Sequence, residues 1–163
     1  KLNSRFSVLQ NTNESIIIKG ISKLNSRFSV LQNTNEIIIG IIDSDKFKMD
    51  KMYKEILSFT EIIEDLLEEE GLLILRKPNS NHYLIRLHTE FEPFIWKQAK
   101  NANIDCTEFG YSSLEDIYVA SKTNECAEDR NFKKFVNKVV ISRPNGIKKI
   151  AEVLKMIFPE IEP

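Results

Sequence analysis

Apolar and polar positions follow two regimes along the chain. Ile37-Ile38-Ile39-Gly40-Ile41-Ile42 is an unbroken apolar run that ends at Asp43-Ser44-Asp45. A β-branched run without alternation predicts a strand buried on both faces, as at the centre of a parallel sheet. Met49, Met52, Tyr53, Ile56, Phe59, Ile63, Leu66 and Leu67 then recur at three- and four-residue steps, which predicts a long helix stopped by Gly71. Its last turn carries Glu68, Glu69 and Glu70, against the helix dipole. Residues 72–75 and 83–87 read as two further short strands, separated by the turn residues Lys77-Pro78-Asn79-Ser80-Asn81. Helices dominate from there on. Thr89-x-x-Glu92 and Ser112-x-x-Glu115 have capping-box spacing and open helices over 90–101, with Pro93 one residue deeper, and from 112 to near 121. Phe132, Phe135, Val136 and Val139 mark another helix, and Ile147, Ile150, Leu154 and Ile157 mark the last. The order predicts an α/β fold with a helical C-terminal part.

The first 36 residues stand apart. The stretch from Lys1 to Glu14 recurs letter for letter from Lys23 to Glu36. Solenoid repeats diverge at solvent positions, and nothing later continues this one, so it is not a repeat architecture. It reads as a recent duplication or as an artefact in how the N-terminal residues were assigned. With 163 residues in all, a single domain over 1–163 is expected, with its sheet core at 37–87 and mostly helix over 88–163.

Composition removes several classes. Five Gly and five Pro among abundant aliphatic residues exclude a collagen-like or disordered chain. No apolar run approaches the roughly 18 residues of a membrane span, and no signal-peptide pattern is visible. Cys106 and Cys126 form neither a disulfide framework nor a zinc-ligand spacing, so a cytoplasmic protein without a membrane partner is expected. The net charge of −1 hides an asymmetry. Residues 50–70 hold 8 acids and 2 bases, whereas 130–155 hold 8 bases and 1 acid. A basic C-terminal face can meet phosphate, although clustered charge more often marks only a solvated surface.

The chemistry concentrates at the junction of the Ile run with Asp43-Ser44-Asp45-Lys46. Ligand sites of open α/β sheets lie beyond the carboxyl ends of strands. Two acids at i and i+2 there can face one divalent cation, which prefers hard oxygen ligands. Alternatively, Asp43 finishes the strand and Ser44 or Asp45 caps the next helix. Hydrophobic strand, Asp-x-Asp, then helix resembles the second motif of the TOPRIM domain of topoisomerases, bacterial primases and related nucleases. The resemblance implies a small, mainly parallel, Rossmann-like sheet flanked by helices, with Mg²⁺ (or Mn²⁺) held by Asp43 and Asp45. It implies phosphodiester cleavage or transfer on DNA or RNA, with an earlier glutamate as general acid or base. Glu14, followed by Ser15-Ile16-Ile17-Ile18, stands in that place. Glu92, after the third strand, is a further metal candidate or the close of its capping box. Around Ser142-Arg143-Pro144-Asn145-Gly146, a turn before a helix start, Arg143, Lys148 and Lys149 are candidates for a nucleic-acid backbone, with Lys46 beside the acids. The rivals are a non-catalytic nucleic-acid- or protein-binding domain and a nucleotide-sugar transferase, which also uses Asp-x-Asp after a strand.

Overall fold

The Ile run forms strand β1 (Ile38–Asp43), buried along most of its length in this computed structural model. The structure describes residues 37–43, 54–122 and 129–159, in two compact units divided between Glu90 and Phe91. In the first unit, a single helical turn α1 (Lys54–Leu57) precedes strand β2 (Glu61–Leu66), and a second turn α2 (Leu67–Glu70) leads through Gly71 into β3 (Leu72–Arg76). Strand β4 (His82–Leu87) completes a four-stranded sheet in the order β1-β4-β3-β2.

Two expectations are overturned here. The sheet is mixed rather than mainly parallel, since β1 pairs parallel with β4 while β4–β3 and β3–β2 are antiparallel. Connection length is the reason: a parallel crossover needs about a dozen residues or more, and only residues 77–81 separate β3 from β4. Among the described residues β1 is therefore an outer strand, not a central one. The long helix expected through residue 67 also fails, because residues 61–66 are a strand. Phe59 turns back onto α1, its N–H donating to the Ile56 carbonyl at 3.2 Å, and is itself buried in the sheet core. The next residues, Thr60 to Ile63, are rich in β-branched side chains that favour an extended backbone.

Alternation sorts the sheet's side chains onto two faces. Ile38, Ile42, Leu84 and Leu75 share one face with Phe59, flanked by Ile56 and Leu73. Ile39, Ile85, Ile74, Leu87 and Leu72 lie on the other and are also buried.

The second unit is helical: α3 (Phe91–Asn101), a 3-10 turn (Cys106–Phe109), α4 (Leu114–Lys122), α5 (Arg130–Ser142) and α6 (Asn145–Ile157). Pro93 is tolerated because it lies in the first turn of α3, where backbone N–H groups have no intrahelical acceptor. The box that opens α4 lies one residue beyond its expected place, at Ser113 and Asp116. The Asp116 carboxylate accepts from the Ser113 N–H at 2.9 Å, and the Asp116 N–H donates to Ser113 Oγ at 3.3 Å. Asp129 caps α5 by accepting from the N–H groups of Asn131 and Phe132. Phe135 and Val139 of α5 anchor the core with Ile95 and Ala99 of α3 and Ile117 of α4. The ring of Tyr111 meets Phe135 edge-on at 5.4 Å between centroids.

Candidate functional site

Strand register defines the end of the sheet where Asp43 sits. Asp43 is level with Leu87 on β4, and Leu87 is level with Leu72 on β3, so the three share one row and one face. Leu87 and Leu72 are buried and Asp43 is half-buried, so the aspartate is the row's hydrophilic member. The chain leaves β4 immediately beyond, through the exposed His88 and the half-buried Glu90. Gly71 holds that turn against β3: its carbonyl accepts the His88 N–H at 2.8 Å. Its left-handed backbone, φ 69°, also brings its own N–H to the Leu67 carbonyl at 3.1 Å. Glu70, buried to 7% exposure, enters the same sheet end directly before Gly71. Periodicity alone does not reveal that placement, because it puts Glu70 in the last turn of a long solvated helix.

Glu14, Asp45 and Lys46 lie outside the described residues. Glu92 belongs to the helical unit, in the first turn of α3, where its carboxylate accepts the hydroxyl of the buried Ser121 on α4. That bond links two helices and also places a negative charge where the α3 dipole favours it. His82 is buried on β4, level with Ile38 on β1. Among the described residues no three His, Cys, Asp or Glu side chains group as a ligand set. Mg²⁺ does not require one, because it is commonly bound by one or two carboxylates together with waters and substrate phosphates. Asp43, at the end of β1, has that donor chemistry.

The expected phosphate residues surround the start of α6. Arg143 ends α5 in a left-handed conformation, φ 47°, and is exposed. Lys148 and Lys149 both pair with Glu152, at 3.7 and 3.1 Å, and Lys149 first, then Lys148, holds its carboxyl below the usual range. The Gly146 N–H, in the first turn of α6, donates at 3.0 Å to Oε1 of the fully buried Gln98. The groups expected to receive a phosphate at α6 are thus largely engaged within the protein. Further exposed cations lie on α5, where Arg130, Lys133, Lys134 and Lys138 all face solvent. The four-residue spacing of Arg130, Lys134 and Lys138 is visible in the sequence, but only the packed helix shows which of its faces is left to solvent.

No described helix is long and apolar enough to cross a membrane. Comparison of the chain with protein-family models, with curated proteins and with solved structures finds no match.

Proposed function

We propose that the chain is a Mg²⁺-dependent nucleic-acid phosphodiester hydrolase or transferase of TOPRIM-like type, centred on Asp43 and Asp45. One observation carries the reading: Asp43 ends a buried strand that runs parallel to its neighbour β4, so both strands present their carboxyl ends together. Open α/β sheets place ligands at such ends. The parallel β1–β4 pair is also what a Rossmann-like assignment of the sheet rests on. Asp43 and Asp45 bind and orient; Glu14, by resemblance, moves the proton. When bound, the divalent ion supplies charge neutralisation at the phosphate and lowers the pKa of a coordinated water.

The test is cleavage of plasmid, linear duplex, single-stranded DNA and RNA with Mg²⁺ or Mn²⁺, comparing wild type with the Asp43→Asn, Asp45→Asn variant. Loss of several kcal/mol of metal-derived stabilisation predicts a rate at least about a hundredfold lower in the variant, with an unchanged circular dichroism spectrum. Wild-type protein inert on all four substrates, or a variant as active as wild type, overturns the reading. A second reading, a nucleic-acid-binding domain without chemistry, is favoured by the exposed cations of α5 and predicts binding without turnover.

A further inference from the structure

We infer that the solvent face of α5 is a binding surface for the phosphate backbone of a nucleic acid, with Arg130, Lys134 and Lys138 as its row and Lys133 beside it. The inference deepens the reading above, and rests on it for the choice of a nucleic acid as partner, but it concerns a surface that reading does not use. Arg130, Lys134 and Lys138 are spaced i, i+4, i+8, which sets them on one stripe of the helix over roughly 12 Å. Each strand of a duplex presents a phosphate about every 3.4 Å of axis, so the row spans several of them.

Three features of α5 support this surface. The helix contains no acidic residue, so nothing within it neutralises the row. Among the described residues, these four cations have no ion-pair partner, whereas Lys148 and Lys149 do. The opposite side of α5 is already committed, with Phe135 and Val139 fully buried and Phe132 and Val136 packed against the same core. A helix that inserts into a lipid surface needs an apolar face, without which only electrostatic attraction to anionic headgroups is left. Of the large hydrophobics on α5, only Val140 and Ile141 are exposed, at the helix's last turn. A cationic row without an insertable face fits a polyphosphate better than a bilayer.

The test uses the full chain in EDTA, so that binding is read without cleavage. Fluorescence anisotropy follows a short labelled duplex, and the matching single strand, over a series of salt concentrations. Wild type should bind with a steep salt dependence. Lys134→Gln with Lys138→Gln should weaken duplex binding about tenfold or more at low salt and reduce the log–log slope by roughly 2, one for each phosphate no longer neutralised. Lys134→Arg with Lys138→Arg should restore both. All the altered side chains are exposed, and circular dichroism checks each fold. Wild type that binds neither probe overturns the inference. So does a glutamine variant with the wild-type slope, binding to phosphatidylserine vesicles without binding to DNA, or self-association through these lysines without binding to DNA. The outcomes separate from those of the catalytic reading. Wild type that binds in EDTA with the expected salt slope but never cleaves with Mg²⁺ or Mn²⁺ sustains this surface and overturns the catalytic reading alone.

Discussion

Three glycines show how a single missing Cβ is used differently. At Gly71 the backbone is left-handed, and a Cβ would lie 2.8 Å from the His88 carbonyl oxygen, which belongs to backbone and cannot swing away. Gly110 is left-handed too, φ 86°, but has nothing within 4 Å of that position. Gly146 is helical, yet a Cβ there would meet Gln98 Nε2 at 2.7 Å, and the Gln98 amide is pinned by burial and by its bond from the Gly146 N–H. Alanine should therefore cost about 1–2 kcal/mol at Gly110, from conformation alone. At Gly71 it should cost more, because the clash adds to that penalty. At Gly146 it should cost about 1–3 kcal/mol through overpacking, partly offset by better helix propensity. Urea unfolding of the three variants checks the order, and Gly71→Ala no worse than Gly110→Ala would refute the account of the sheet end. Gly71 was legible in the sequence as a helix stop, and it does end the turn at residues 67–70. Its approach to His88, and that of Gly146 to Gln98 48 residues earlier, were not, because both partners come from distant elements.

Helix starts make a pH-dependent contribution that is readable at the level of the element. Asp116 accepts from the Ser112 hydroxyl and N–H, both at 2.7 Å, and from the Ser113 N–H, and these bonds hold its carboxyl below the usual range. Asp105, which caps the 3-10 turn, is lowered likewise, first by the Thr107 hydroxyl and then by its N–H. A carboxyl lowered by folding stabilises fully above its unfolded value of about 4, and the contribution is lost as pH falls through the folded value. Melting temperatures should thus fall as pH drops below that unfolded value, and Asp116→Asn should flatten part of that limb. Ser113→Ala should cost about 1 kcal/mol at neutral pH, as the loss of an N-cap usually does. An Asp116→Asn melt with the full wild-type acid limb would contradict the assignment. That α4 begins here was legible from capping-box spacing, but the pairing was not: Ser112 and Glu115 have the same spacing as Ser113 and Asp116, and spacing alone does not rank them. The failure of the long helix has a different cause. The three- and four-residue steps fit a helix, but residues 54–66 form a helical turn followed by an edge strand whose Ile62 is exposed and whose register shifts near Ile63. Pairing with β3 decides the matter, and it is a property of the sheet rather than of the window.

At the scale of the whole chain, the sheet's mixed character follows from distances along the sequence. Five residues between β3 and β4 permit only a hairpin, whereas β1 reaches its parallel neighbour β4 only after β2 and β3 have been laid down. The apolar run of β1 marked a doubly buried strand without marking its place in the order, so burial was legible and topology was not. The helical unit supports a separate expectation. Its core cluster, from Ile95 to Val139, is drawn wholly from residues after Glu90, so a fragment of residues 91–163 should fold by itself. Chains of this size bury little more than a marginal core, and a stability of only about 3–5 kcal/mol is expected. Cys106 reports on it. The thiol is 2% exposed, and burial pushes its pKa up, which depletes the reactive thiolate. With Cys126→Ser to remove the second thiol, Cys106 should resist a disulfide reagent in native buffer and react fully in urea. In the fragment it should also be protected, though with faster opening, alongside a helical circular dichroism spectrum and a cooperative melt. A fragment whose Cys106 reacts at the rate of a free thiol would show that residues 91–163 depend on the sheet unit for their fold.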